Sequence, residues 1–371
     1  MILAESPDQP QSILKSMSQL APTPVQSKQQ PDHLFDYPQR TPPAAGATIE
    51  IAPGVHWLRM PLPFALDHIN LWLLEDGDGW SIVDCGIGND VTRDLWEQVF
   101  AARLGGKPVK RVIVTHYHPD HAGLAGWLTK KFAVPLVMAQ GEYMMAHLVH
   151  EGLAGTSNED LLSLFRRNGL DEDRISQLAT RGNHYARMVP DLPGSFIRIM
   201  DGEVLAIHGR GWRMIAGYGH APEHAALYCE SLGVLISGDM VLPRISTNVG
   251  VWGINPEGNP LKQFLESLGH YLDLPQDTLV LPSHGLPFRS MHARIAQLQE
   301  HHRLRLAELQ EACIEARSAA QVLTTLFRRE LDIHQTFFAM GEAMAHLHYL
   351  LVEGRVTREK DAGGVLRYRS V

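Results

Sequence analysis

The period of apolar and polar positions changes several times along the chain, and the changes divide it. From Ile49 the period is two. IEIAPGVHWLRM, HINLWLLE and WSIVDCG are short runs separated by Pro, Gly and Asp, which predicts a meander of antiparallel strands. After Asp84-Cys85-Gly86 the spacing of Leu95, Trp96, Val99 and Phe100 predicts a helix ended by Gly105-Gly106. The apolar run Val112-Ile113-Val114 predicts a buried strand that leads directly into His116. Residues 141–187 carry helical spacing in HLVHEGLAG and DLLSLFRRNGL and read as a mostly helical insert. Strands return at SFIRI, EVLAIHG, WRMIAGY, AALYCE and VLISGD, and a helix in NPLKQFLESLGHYL precedes a last strand, TLVLPSHG. From Met291 the spacing is helical in ARIAQLQEHHRLRLAELQEACIEA, AQVLTTLFRREL and AMGEAMAHLHYLLVEG, before the ribbon RVTREKDAGGVLRYRS. Three helices and a hairpin turning at Ala362-Gly363-Gly364 predict a small winged-helix-like unit. Residues 1–45, rich in Gln, Pro and Ser without a sustained apolar period, read as a disordered or draped arm. The expected organisation is thus an arm over 1–45, a main domain over 46–290 with its helical insert at 141–187, and a C-terminal unit over 291–371.

Composition narrows the classes. With 371 residues the chain has room for about two domains and a substantial core. Lys and Arg number 33 against 41 Asp and Glu, a net charge of −8, so the overall field does not favour a polyanion and nucleic acid would need a local patch. Cys85, Cys229 and Cys313 are too scattered for a disulfide framework, which points to a reducing compartment. The start, MILAESPDQP, lacks the charged and apolar regions of a secretory signal, and no segment approaches the roughly 18 to 20 apolar residues of a membrane helix. The expectation is a cytoplasmic protein with no membrane partner. Histidine is the outlier at 20 residues, and it points to metal.

The sharpest cluster is Thr115-His116-Tyr117-His118-Pro119-Asp120-His121-Ala122-Gly123, four metal-ligand side chains within six residues at a predicted strand-to-helix turn. Imidazole nitrogen and carboxylate oxygen suit a borderline ion such as Zn²⁺. On extended backbone His116 and His118 point the same way, while Asp120 and His121, one turn on, can serve a second ion. Further candidates fall at predicted strand ends: Asp84 in IVDCG, His220 in GYGHAPEH, Asp239 in LISGDM and His284 in LPSHG. Each alone is an ordinary loop or turn residue. Together, in this order, they form a set.

That set resembles the five motifs of the metallo-β-lactamase superfamily, over about residues 46 to 290. The resemblance implies an α/β fold, a four-layer αβ/βα sandwich of two mixed sheets with helices outside and metals at one edge. It implies that His116, His118 and His220 hold one ion, that Asp120, His121 and His284 hold a second, and that Asp239 bridges them. Asp120 and Asp239 are then the catalytic carboxylates, Asp84 orients ligands from behind, and His224 either donates to them or caps its segment. Two divalent ions are expected, zinc by default, with iron or manganese as alternatives. Two cations about 3.5 to 4 Å apart lower the pKa of a bridging water and polarise the scissile bond, so hydrolysis needs no Ser or Cys nucleophile. One departure is visible: the third motif commonly reads G-H-[ST]-P-G-H, whereas this chain has Gly219-His220-Ala221-Pro222-Glu223-His224.

Within the superfamily, a carboxylate at Asp239 resembles glyoxalase II, lactonase, thioesterase and phosphodiesterase members more than true β-lactamases. His118 in place of Glu argues against the diiron flavoprotein oxygen reductases. In the insert, Met144, Met145, Leu148, Leu161, Leu162, Leu164 and Phe165 could line an acyl pocket, although helix core is the simpler reading for each. His68, Tyr185 and Trp252 are candidate substrate contacts at the mouth. The C-terminal unit resembles the extension of a subgroup that includes eukaryotic β-lactamase-like ribonucleases, and Arg355, Arg358, Lys360, Arg367 and Arg369 lie on its wing. From Met291 on, 11 basic residues face 10 acidic ones, which favours a packing unit over a nucleic-acid contact. The expected activity is hydrolysis of an acyl ester or thioester in a small-molecule substrate. The alternative is a phosphodiesterase or ribonuclease, then a lactonase or a non-catalytic metal-binding scaffold. A homodimer through the insert or the C-terminal helices stays open.

Overall fold

The computed structural model describes residues 35–371. Strands β1 (Ile49–Ala52), β2 (Val55–Pro61), β3 (His68–Asp76), β4 (Gly79–Val83), β5 (Val109–Ile113), β6 (Leu136–Met138) and β7 (Ile197–Arg198) form one sheet in sequence order. Pairing is antiparallel from β1 to β4 and parallel from β4 to β7. Strands β8 (Val204–Ile207), β9 (Arg210–Gly217), β10 (His224–Cys229), β11 (Val234–Gly238) and β12 (Leu279–Pro282) form the second sheet, ordered β12-β11-β10-β9-β8, with only β11 and β12 parallel.

Period-two alternation makes this a layered structure. In β2 and β3, Leu58, Met60, Ile69, Leu71 and Leu73 face one core while Trp57, Trp72 and Leu74 face another. The inner core joins the sheets, with Trp57, Trp72, Val83 and Ile113 against Trp212, Met214, Leu227, Ile236 and Leu281. Each such side chain contributes about 1.5 to 3 kcal/mol by leaving water, so a one-residue slip of register would be costly. The outer face of the first sheet is covered by α1 (Asp90–Arg103) and, after the short α2 (Pro119–Ala122), by α3 (Ala125–Phe132), through Leu95, Trp96, Val99, Phe100 and Leu128. The expected four-layer sandwich is the observed fold.

The insert is helical: α4 (Gln140–Glu151), α5 (Asn158–Arg167), α6 (Glu172–Ala179) and α7 (His184–Met188). Leu162, Leu164 and Phe165 are core, whereas Met144 is 49% exposed. The second sheet is covered by α8 (Pro260–Gly269), α9 (Met291–Ala312) and, beyond the single turn α10 (Leu323–Leu326), α11 (Ile333–Val352). The helix expected over AQVLTTLFRREL shrinks to that one turn. A hairpin, β13 (Val356–Lys360) with β14 (Leu366–Ser370), closes the chain. The C-terminal region is thus helical with a small hairpin, and it shares one core with α8: Leu261, Phe264 and Leu268 pack in the same cluster as Ile295, Leu298, Met340, Met344 and Tyr368.

Of the expected N-terminal arm, residues 1–34 lie outside the described residues. The remainder does not drape loosely throughout, because Phe35 and Tyr37 are buried, Phe35 lies edge-on to Phe288 at 5.9 Å, and the Arg289 amide donates to the Asp36 carbonyl. Among the described residues no helix is long and apolar enough to cross a membrane.

Candidate metal centre

Every candidate ligand follows a strand end, and the sheet register brings those ends to one edge of the sandwich. Thr115 ties the two sheets together there, its carbonyl accepting from the Ala225 amide of β10 at 2.8 Å. Pro119 starts α2 with His118 as its N-cap, and that turn separates Asp120 and His121 from the preceding histidines. The ligand atoms fall into two groups, His116, His118, His220 and Asp239 in one and Asp120, His121 and His284 in the other, each within 4.8 Å.

In the first group His116 Nε2 lies 2.9 Å from His118 Nδ1 and 3.2 Å from His220 Nε2. An ion bound tetrahedrally at about 2.0 to 2.1 Å holds its ligand nitrogens about 3.3 Å apart, so the spacing suits coordination. Asp239 turns one oxygen to each group: Oδ2 is 3.4 Å from His220 Nε2, and Oδ1 is 3.6 Å from His121 Nε2 and 3.5 Å from His284 Nε2. Asp120 Oδ2 lies 3.4 Å from His284 Nε2 and 3.7 Å from His121 Nε2.

The surrounding hydrogen bonds leave the ligating atoms free. Nδ1 of His121 bonds Asp84 Oδ2 at 2.8 Å, that of His220 bonds the Asn248 carbonyl at 2.7 Å, and that of His284 bonds the His68 carbonyl at 2.8 Å. Each contact holds a proton on Nδ1, so Nε2 is the nitrogen that gives its lone pair to an ion, after losing its own proton where it carries one. Asp84 sits at φ 62°, which Asp tolerates better than most residues, and its Oδ1 accepts from the Thr115 amide at 2.8 Å. His121 Nε2 and Asp239 Oδ1 are buried yet have no hydrogen-bond partner. Two facing atoms that can each give a lone pair are what a metal ion would satisfy, so the residues present fit a dinuclear centre.

Electrostatics separates the groups. Burial and the neighbouring histidines push His116 well below the usual histidine range, and burial with His220 takes His118 to about 3. His121 goes the other way: burial opposes its charge, but Asp84, Asp120 and Asp239 raise it well above normal. Asp239 and Asp120 likewise outweigh burial to raise His284 to about 10. Charge is therefore disfavoured on His116 and His118, whereas the carboxylates around His121 and His284 favour it there.

The other candidates make the following contacts. His224 is fully buried and accepts from the Asp239 amide through Nε2 at 3.1 Å. His68 is not free at the mouth: its Nε2 accepts from the Gly285 amide at 3.0 Å and its Nδ1 meets Asp67 Oδ1 at 2.6 Å. Tyr185 is buried, and its hydroxyl donates to the Tyr117 carbonyl, propping the backbone between His116 and His118. Trp252 stacks on Phe337 with centroids 5.2 Å apart. Two residues went unnoticed in the sequence. Glu142 is fully buried and accepts from the Tyr117 amide at 2.9 Å and the Glu223 amide at 2.5 Å, joining two ligand loops, with burial lifting its carboxyl to about 7. Asn70, beside His68, accepts from Trp57 Nε1 and Arg59 Nε and donates to the Pro282 and Gly285 carbonyls, fixing the loop that carries His284. No local pattern marks either one; Glu142 lies within an ordinary amphipathic helix.

Two mixed sheets packed face to face, with two His/Asp groups at one edge, define a metallo-β-lactamase-fold protein whose site is consistent with two metal ions. The chain belongs to the metallo-β-lactamase superfamily, whose match spans residues 65–284, and a metallo-β-lactamase-like C-terminal domain matches residues 306–371. It is similar to a crystal structure of a β-lactamase domain protein from Burkholderia ambifaria, with 51% identity, TM-score 0.85, and coverage of 91% of this chain and 99% of that one. A metallo-β-lactamase family protein from Thermus thermophilus shares 32% identity at TM-score 0.74, over 87% of this chain and all of that one. The Bacillus subtilis (strain 168) protein named "Probable metallo-hydrolase YqjP" is 26% identical over 306 residues, 81% of this chain and 93% of its own.

Proposed function

We propose that this metal-dependent hydrolase cleaves an acyl bond, a thioester or an ester, in a small-molecule substrate. The observation that carries the hydrolytic part is Asp239, whose two oxygens face the two ligand groups separately. When bound, the ions supply Lewis-acid polarisation of the scissile carbonyl and lower the pKa of water. His116, His118, His220 and Asp239 would hold one ion and Asp120, His121 and His284 the other. Asp84, Asn248 and the His68 carbonyl orient the imidazoles, so the ligand geometry is set before substrate arrives. Asp120 is more open than Asp239, with 19% of its side chain exposed, and is the carboxylate placed to take up a proton and return it to the leaving group.

An acyl substrate is favoured over a polyanion by how the hairpin arginines are used. Arg355 donates to Gln310, Arg358 pairs with Glu257 at 2.8 Å, and Arg367 pairs with Asp361 at 2.8 Å. These charges are engaged within the fold, which supports a packing role for the hairpin. The cysteines are buried and unpaired, in keeping with a reducing cytoplasmic setting.

The test is a hydrolysis panel with metal-loaded protein and an Asp239→Asn control: acyl thioesters, a p-nitrophenyl ester, a homoserine lactone, bis-nitrophenyl phosphate and single-stranded RNA. Acyl cleavage that disappears in the control is expected. Cleavage of RNA or the phosphodiester without acyl turnover would overturn the acyl assignment.

A further inference from the structure

A chain of aromatic contacts joins parts of the sequence far apart. Phe64, in the loop between β2 and β3, stacks on His334 of α11 with centroids 5.6 Å apart and planes 9° from parallel. His334 meets Phe338 edge-on at 5.1 Å, and Phe338 and Phe337 in turn meet Trp252 at 6.5 and 5.2 Å. Trp252 fits here because α11 carries Gly341 beneath it, where a Cβ would come within 2.9 Å of the indole. Both feet of this arch are tied by short stretches of chain to residues that fix ligands. Phe64 is four residues from His68, whose carbonyl fixes His284, and Trp252 is four residues from Asn248, whose carbonyl fixes His220. Four residues reach at most about 14 Å.

The insert adds positive charge to this arch. The Arg181 guanidinium lies over the Phe337 ring at 4.3 Å, and its Nη2 is 3.3 Å from His334 Nδ1. Its Nη1 is buried without a hydrogen-bond partner. Arg187 Nη2 donates to the Arg181 carbonyl and lies 2.8 Å from His184 Nδ1. His184 precedes Tyr185, which props the backbone between two ligands. The charged groups acting on Arg181 and His184 are other cations, and they add to burial in lowering both. Among the described residues, Asp332 is the carboxylate acting on His334, and its Oδ1 already accepts the Gln335 amide. Among the described residues no carboxylate is paired with Arg181, so this half-buried guanidinium with an orphan donor lacks the compensation that such groups normally have there. Its planar fork matches phosphate and carboxylate.

We infer that Arg181, flanked by His184 and His334, binds an anionic group, a phosphate or carboxylate, on the end of the substrate remote from the scissile bond. Phe64 and Phe338, the latter 38% exposed, line the stretch between. The inference rests on the acyl reading only for which bond is cut.

The experiment compares wild type with Arg181→Met on three hexanoyl thioesters: that of coenzyme A, carrying phosphates; that of glutathione, carrying carboxylates; and that of uncharged N-acetylcysteamine. The expected result is a fall of about tenfold or more in kcat/KM for one or both charged substrates relative to the uncharged one, mostly in KM. Which charged substrate loses more identifies the anion. An unchanged ratio would overturn the assignment. If wild type cleaves none of the three, the acyl reading has failed, and calorimetric titration with inorganic phosphate decides the anion site separately. Binding weakened about tenfold in Arg181→Met keeps the site, and equal binding removes it. Should Arg181→Met melt early, Arg181→Lys carries the comparison, with a smaller shift in the same direction expected because the charge stays and the fork is lost.

Discussion

Asp84→Asn isolates the link between hydrogen bonding and metal affinity. Asn accepts the φ of 62° at this position, so the change is chemical rather than conformational. The Thr115 amide, 2.8 Å from Oδ1, can only donate, so it selects the carbonyl oxygen of the new side chain. The NH₂ group then faces His121 Nδ1, where a carboxylate oxygen stood at 2.8 Å. His121 must accept at Nδ1 and carry its proton on Nε2, the atom 3.6 Å from Asp239 and 3.7 Å from Asp120. A protonated Nε2 has no lone pair to give an ion. The affinity of one of the two sites should fall about 10- to 100-fold, or about 1.4 to 2.7 kcal/mol. The site built on His116, His118 and His220 should keep its affinity within a few-fold, since Asp84 touches none of their ligating atoms. Equilibrium dialysis with elemental analysis reads both sites in one experiment. Two sites of wild-type affinity, or equal losses at both, would refute the reasoning. Asp84→Ala should do worse, adding about 1 to 2 kcal/mol of backbone strain.

Glu142→Gln leaves one oxygen where two amides donate, so urea unfolding should show a loss of about 1 to 3 kcal/mol. Because Glu142 is raised to about 7 in the folded state, its contribution to stability is present below pH 4.5 and lost as pH rises through 7, a slope the Gln variant should lack. Arg294→Met removes donors to the Leu242 and Ile245 carbonyls, which bind α9 to the loop after Asp239; a loss of about 2 to 4 kcal/mol in thermal unfolding and a lower kcat are expected, and unchanged stability would separate the C-terminal region from the site. Loading metal at pH 7 should release about two protons, from His121 and His284, and weaken as pH falls; calorimetry in buffers of different ionisation enthalpy would refute this by showing no proton release.

What the sequence by itself carried was a motif set whose resemblance implied the fold class, and the candidate ligands within it. The short apolar runs read as strands, the ordered motifs resembled one family and so implied the layered sandwich, and four ligand side chains within six residues have a chemistry that survives any packing. Asp84, His220, Asp239 and His284 were legible only as an ordered set, because each alone resembles a turn residue. Tertiary structure decided which oxygen of Asp239 faces which group, and it set the contacts of His68 and Tyr185 with the backbone at Gly285 and Tyr117. It also created the roles of Glu142, Asn70 and Arg181, whose partners lie on segments brought near only by the fold, the most distant more than 200 residues away. Ligand chemistry belongs to the residue and is written in the chain. A buried polar group's role belongs to its partners, and long-range packing alone selects those.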